Sequence, residues 1–448
     1  MSFSKDFVWG TAAASYQVEG AYDTDGRGMS VWDEFTRIKD KILDNANGNV
    51  ACDQYHLYRD DVALMKKLGY KAHRFSFSWS RILPGGIGKA NEKGLDYYDR
   101  FIDSMLENDV VPYATLFHWD YPYELYKKGG WLNDDSSEWF AEFAAHIAWR
   151  YSDRVKHYFT QNEAQCFIYY GHHCGYHAPG LSLSDKEFFI CLKNSQLAHG
   201  KAVTAMRNHA KGDIYIGTAP TCVPGVPMTD TPEDIEAARK YTFRADKDDL
   251  TAGIYVDPII LGKYPDGMEK FGDSFVRATD EELKIMSPKL DFLGFNLYVS
   301  NTIKAADNEN GYEKISYPGT SPRTGNTLPV TPEALYWGPK FLIDRYKLPF
   351  YVTESGMVDL DIPDEAGEIN DYARIDYLKR YIKQYQKIAG EGYPVKGYFA
   401  WSFIDNFEWN AGYRFRLGLV YVDYPTQKRT PKKSAGFYSD VIRDNGVF

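Results

Sequence analysis

Eight short apolar runs, each rich in aromatic or β-branched residues, recur along the chain: Phe7–Gly10, Ala72–Ser78, Val111–Phe117, Val155–Thr160, Ile214–Gly217, Phe292–Tyr298, Phe350–Thr353 and Val395–Trp401. Runs of this length and composition predict strands buried on both faces. Helical spacing fills most of the gaps between them. Tyr58, Val62 and Met65 follow an i, i+4, i+7 pattern ahead of Gly69, and Ile375, Leu378, Ile382 and Tyr385 follow i, i+3, i+7, i+10. Alternating strands and helices imply a parallel sheet, and eight such units close into a barrel. The expected fold class is therefore α/β: a (β/α)8 barrel of the TIM type, one domain over residues 1–448, with enlarged strand-to-helix loops.

The competing topology is an open doubly wound sheet, for which a Gly-rich phosphate loop would speak. No G-x-G-x-x-G follows the first run and no G-x-x-x-x-G-K-[ST] occurs, so nucleotide binding lacks its usual signature. No internal repeat, low-complexity tract or Pro/Ser linker breaks the pattern. The longest irregular stretches, Lys304–Thr331 and Val358–Asn370, follow the sixth and seventh runs. Both are expected as loops on the strand C-terminal face, where barrel active sites lie.

Composition narrows the partners. With 44% hydrophobic and 25% charged residues the chain has material for a large core. Its net charge of −10 opposes nucleic acid and anionic membrane surfaces. Met1–Gly20 has no basic stretch leading into an apolar one, and no run reaches the ~18 apolar residues of a membrane span. Cys52, Cys166, Cys174, Cys191 and Cys222 are odd in number and contain no C-x-x-C pair, which fits a reducing cytoplasm better than a disulfide framework or zinc ribbon. The sequence leaves the oligomeric state open. Aromatic residues make up 16%, several beside polar ones, and flat rings are platforms for sugar faces or bases.

Polar residues gather where the apolar runs end: Gln17, Arg74, His118 with Trp119, Asn162 with Glu163, Asn296 with Tyr298, Glu354, and Trp401 followed by Glu408 and Trp409. Taken singly, a Glu after a strand is ordinarily a surface or capping residue, and a lone His a satisfied barrel histidine. Two carboxyls at the ends of the fourth and seventh strands of one barrel are another matter. They point into a shared mouth, as glycosidic cleavage needs: one protonated acid, and one ionised nucleophile or base.

The motifs at these positions resemble those of glycoside hydrolase family 1, the β-glucosidase-like retaining enzymes, along essentially the whole chain. Phe7-Val-Trp-Gly-Thr-Ala-Ala-Ala-Ser-Tyr-Gln-Val-Glu-Gly20 resembles the family's N-terminal signature, and Thr160-Gln-Asn-Glu163 and Val352-Thr-Glu-Ser-Gly356 resemble its two catalytic motifs. The resemblance implies a double displacement on a small β-glycoside or short oligosaccharide, most simply a β-glucoside, without cofactor or metal. Glu354 would attack the anomeric carbon, while Glu163 would protonate the leaving oxygen and then activate water, with the carboxyls about 5–5.5 Å apart. Gln17, His118, Asn162, Glu408 and Trp409 resemble the hydroxyl-binding set of the nonreducing sugar, with Trp119 beside them and Trp401 as a stacking floor. Arg74 and Tyr298 resemble the residues that keep the nucleophile ionised, assisted by Asn296. A β-galactosidase, a β-fucosidase, a transglycosylase or a catalytically degraded sugar binder would share this set. Glu408 repels a 6-phosphate, although Arg414 and Arg416 nearby are good phosphate binders.

The chain also departs from the family pattern. Ala164 and Gln165 stand where the acid motif usually continues with Pro and Trp, and Ser355 stands for the usual Asn. A carboxamide in place of an indole suggests a leaving group held by hydrogen bonds, hence sugars over flat aryl groups, with Trp337 as a substitute platform. His172, His173, Cys174 and His177 lack a second ligand pair at zinc-like spacing and are expected to shape the leaving-group entrance rather than bind metal.

Overall fold

The computed structural model describes residues 3–447; Met1, Ser2 and Phe448 lie outside the described residues. All eight apolar runs form strands: β1 Val8–Ala12, β2 Ala72–Ser76, β3 Val111–Phe117, β4 His157–Asn162, β5 Tyr215–Ala219, β6 Leu293–Asn296, β7 Phe350–Ser355 and β8 Val395–Trp401. They pair in the order β5-β4-β3-β2-β1-β8-β7-β6, and every ladder is parallel. The ring closes between β5 and β6 through the Thr221–Asn296 bridge and the Asn296 N–H to Pro220 carbonyl bond of 2.9 Å. The fold is a (β/α)8 barrel.

Inside the barrel the lower layers are aromatic. Tyr113, Phe159, Phe292, Tyr351 and Phe399 pack with Ala12 and Ala72 into a closed plug rather than a pore. Above them the interior turns polar, and the Arg74 guanidinium sits over the Phe159 ring at 5.1 Å, where the two regimes meet.

The helices sit where the spacing predicts. Gln54–Lys67 buries Tyr58, Val62 and Met65, and Tyr372–Gly390 buries Leu378, Ile382 and Tyr385 while Ile375 is half-buried. Among the described residues, no helix is long and apolar enough to cross a membrane.

One expected loop is more ordered than its composition suggests. Within the Lys304–Thr331 region, Asn301–Ala305 pairs antiparallel with Tyr312–Ile315, and Gly225–Pro227 joins as a third strand. The turn is carried by Gly311 at φ +74°, which permits a hairpin in a segment too polar to read as a strand. The remainder of that loop and Val358–Asn370 lie on the C-terminal face; Thr324, Leu328 and Val358 line the cavity there.

Candidate active site

A cavity of about 500 Å³ opens at the C-terminal mouth of the barrel. Among its lining residues are His118, Trp119, Glu163, Tyr298, Glu354, Trp401, Glu408 and Trp409, all expected from sequence. Gln17, Arg74, Asn162 and Asn296, also expected from sequence, are fully buried and bonded to these lining residues. Trp119, Glu163 and Trp409 all have positive φ, of +79°, +47° and +48°. Non-glycine residues rarely adopt this conformation, which costs of order 1–3 kcal/mol each and persists where surrounding structure enforces it. The close approach of β7 to β8 explains Gly356: a Cβ there would lie 1.9 Å from the Trp401 carbonyl oxygen.

One hydrogen-bond chain joins the two carboxyls. Arg74 donates from Nη1 to Glu354 Oε1 at 2.6 Å and from Nη2 to Asn162 Oδ1 at 2.7 Å. Asn296 Nδ2 donates to Asn162 Oδ1 at 3.0 Å and to Glu163 Oε1 at 2.7 Å. The Tyr298 hydroxyl donates to the other Glu354 oxygen at 2.7 Å. Arg74 is itself aimed by Thr115, and Asn296 by Thr353. With both donors on Oδ1, the Asn162 amide is oriented so that Nδ2 donates to His118 Nε2 at 3.1 Å. His118 is thereby neutral with its proton on Nδ1, and burial, then the Arg74 charge, hold its pKa well below the usual histidine range. It is not a satisfied barrel histidine, since Nδ1 has no partner.

Electrostatics separates the carboxyls. Burial raises Glu163 to about 7, with the charge of Glu354 as the second cause. Burial also raises Glu354, but the Arg74 charge and the hydrogen bonds from Tyr298 and Arg74 oppose it, so Glu354 is the easier of the two to ionise. A third carboxyl, Glu408, is pushed up to about 8 by burial and then by the charges of Glu354 and Glu163. The Arg74 guanidinium is fully engaged below, so the three carboxyls do not all ionise together near neutrality. Gln17 reaches Glu408 Oε2 at 3.3 Å through its Nε2, and its own buried Oε1 has no partner. Trp409 packs against Trp119 with ring centroids 4.4 Å apart and planes inclined by 33°, and Trp119 Nε1 donates to the Asn162 carbonyl at 3.0 Å. The ring of His118 lies roughly parallel to Trp401 at 5.8 Å.

Two expected site residues are elsewhere. Gln165 is fully buried and turned away from the cavity, its Nε2 donating to the Thr221 and Thr251 carbonyls at 2.7 and 3.1 Å. The wide helical turn Gln165–His173 begins there and points the carboxamide back into the barrel wall, so it does not recognise a leaving group. Trp337 lies on the helix Ala334–Tyr346, packed on Tyr336 and Phe341, and is not on the cavity wall. Its apolar ring is used in helix packing. Ser355 is likewise buried, against Tyr377.

One participant was not singled out in the sequence. Cys166 Sγ lies on the cavity wall and donates to Glu163 Oε2 at 3.1 Å. Its signal was positional, three residues after Glu163 at the start of a helical segment. His177 also lines the cavity, whereas His172 and His173 bond the Phe167 and Leu183 carbonyls and Cys174 is exposed.

The sequence profile of glycosyl hydrolase family 1 matches residues 1–447. The chain belongs to that family. It is 39% identical to a 1,4-beta-D-glucan glucohydrolase of Thermotoga neapolitana, over 99% of each chain. It is also 39% identical to Beta-glucosidase A of Thermotoga maritima, over 99% of this chain and 98% of that one. A solved Thermotoga maritima β-glucosidase in complex with deoxynojirimycin superposes with a TM-score of 0.91 at 38% identity, over 100% of both chains. As a member of this family, the chain is a glycoside hydrolase.

Proposed function

We propose that this family 1 enzyme is a retaining exo-β-glucosidase, acting through one catalytic domain spanning residues 1–448. The observation that carries the reading is the asymmetric pair: Glu354 braced for ionisation by Arg74 and Tyr298, and Glu163 held protonated up to about pH 7. Glu354 attacks the anomeric carbon as the glycosidic C–O bond breaks, and Glu163 delivers its proton to the leaving oxygen. The resulting glycosyl-enzyme is opened by water, whose proton returns to Glu163 as Glu354 is released. Two inversions give net retention. Asn162 stands beside the acid to hold the 2-hydroxyl, while Gln17, His118, Glu408 and Trp409 bind the remaining hydroxyls over the Trp401 ring.

β-Glucosides are favoured over other glycosides by the names of the relatives above. The unphosphorylated glycone is supported by Arg416, which is spent on Asp405 at 2.6 Å, and by Arg414, an exposed side chain 3.8 Å from Asp44. Small β-glycosides are thus the partners, with neither nucleic acid nor membrane surface involved. Five unpaired thiols, four of them buried, favour a reducing cytoplasm.

Initial rates on the p-nitrophenyl β-glucoside, β-galactoside, β-fucoside and 6-phospho-β-glucoside test this. The glucoside should have the highest kcat/KM and the 6-phosphate the lowest. Preference for the 6-phosphate, or no hydrolysis of any of them, would overturn the reading.

A further inference from the structure

Glu408 and Trp409 sit on a tight turn whose backbone is bonded to itself. The Glu408 N–H donates to the Gly412 carbonyl at 2.6 Å, the Ala411 N–H to the Glu408 carbonyl at 2.9 Å, and the Gly412 N–H to the Trp409 carbonyl at 3.0 Å. These bonds shape the turn, with Trp409 at φ +48°, but do not place it over the cavity. On its N-terminal side Gln17 places it, accepting from the Phe407 N–H at 3.1 Å and donating from Nε2 to the Phe407 carbonyl at 2.9 Å. At the tip the anchor is Asn410. Its Nδ2 donates to the Lys41 carbonyl, in the connection from β1 to β2, at 3.1 Å, and to the Tyr176 carbonyl, in the connection from β4 to β5, at 2.7 Å. With both donors fixed, Oδ1 can only accept, and it meets His177 Nδ1. Burial lowers His177 to about 4, so the ring is neutral and its one proton is on Nδ1. That ring packs against Trp32 and Trp119, with centroids 5.6 and 5.4 Å away, and Trp409 packs on the same two indoles at 4.5 and 4.4 Å.

From this arrangement we infer that Asn410 is a positioning residue: one carboxamide ties three barrel loops together and so holds Glu408 and Trp409 where the sugar hydroxyls meet them. The inference rests on the β-glucosidase reading, which gives the hydroxyl contacts to those two residues, and adds the group that sets them. Asn410 lies at the cavity wall, but its donors and Oδ1 are engaged with protein, so it acts through its neighbours. Holding the turn in advance spares the sugar the cost of ordering it. That saving is equal in the ground state and the transition state, so it falls on KM and not on kcat.

The test is Asn410→Ala acting on p-nitrophenyl β-glucoside, together with the Kd of deoxynojirimycin, a sugar mimic without a leaving group. The expected result is a rise of about ten-fold in both KM and Kd, with kcat within about two-fold of wild type. A smaller folded fraction would lower kcat alone. In the double variant with Glu408→Gln the two losses in kcat/KM should not multiply, because Asn410 acts through the turn that carries Glu408. His177→Phe keeps a ring against Trp32 and Trp119 while removing one tie, and should raise KM about three-fold; it decides the matter if Asn410→Ala does not fold. Unchanged KM and Kd, a loss confined to kcat, or losses that multiply each overturns the inference. With p-nitrophenyl β-glucoside still hydrolysed by the wild type, those results leave the β-glucosidase reading standing; no hydrolysis of any glucoside removes both.

Discussion

Two ends of one cavity are built differently. Around Glu354 and Glu163, side chains at the tips of β2, β4, β6 and β7 form a single buried network through Arg74, Asn162 and Asn296, with each carboxamide and guanidinium fixed by a second partner. Farther out, Val223, Leu250 and Leu328 add apolar side chains to the wall from loops, among polar ones such as Tyr170 and Asn326. Charge develops at the anomeric centre, and stabilising it requires dipoles already in place on rigid elements. A leaving group needs only a surface of matching polarity, and loops supply that without disturbing the strands.

Variants should separate the two ends by whether their cost depends on the leaving group. Glu354→Ala removes the nucleophile and should lower kcat at least 10⁴-fold on every substrate, measured by steady-state rates. Equal residual activity in wild type and variant would break the assignment. Glu163→Ala should cost about 10²- to 10⁴-fold on alkyl glucosides but under ten-fold on dinitrophenyl glucoside, whose leaving group needs little protonation. The wild-type pH profile should fall on its alkaline side near 7, because Glu163 must be protonated to donate and its pKa is raised to about 7. That limb should vanish in Glu163→Ala on the activated substrate, and its persistence would assign it to another group.

Glu408→Gln should cost about 10- to 100-fold in kcat/KM, from one or two hydrogen bonds to sugar hydroxyls near 1.5–3 kcal/mol. The factor should be the same for hexyl and p-nitrophenyl glucosides, and a leaving-group-dependent loss would blur the division between the ends. Smallest of all, Cys166→Ala removes a donor that stabilises ionised Glu163. The sign follows directly: losing a hydrogen bond to the carboxylate raises its pKa, so the alkaline limb should move up by a few tenths of a pH unit, read from kcat/KM profiles. A downward shift would contradict the contact.

The barrel was legible because parallel strands, buried on both faces, leave near-continuous apolar runs. Strand ends were less so. The fourth run stops at Thr160 in the sequence, whereas β4 continues through Gln161 and Asn162, because polar residues at the top of a barrel still belong to the ladder while facing the site. Glu163, Glu354 and their supporting residues could be read from motifs at those ends. Gln165 and Trp337 could not, since proximity in sequence to the acid, or aromatic character, does not fix direction. One turns back to the Thr221 and Thr251 carbonyls and the other packs into a helix face. The outer wall draws on the helical segment Gln165–His173 and on the connections that follow β5 and β6, residues far apart in the chain, and no local pattern announces it.

The central claim is that Glu354 forms a covalent bond to the sugar while Glu163 handles protons. Incubation with 2-deoxy-2-fluoro-β-D-glucosyl fluoride, followed by proteolysis and peptide mass mapping, tests it most directly, since the fluorine slows breakdown of the glycosyl-enzyme more than its formation in the presence of a good leaving group. The account predicts time-dependent inactivation with one fluoroglucosyl group on the peptide containing Glu354. An adduct on the Glu163 peptide, or turnover without any adduct and with the α-anomer of 2-deoxy-2-fluoroglucose as the first product, would contradict it.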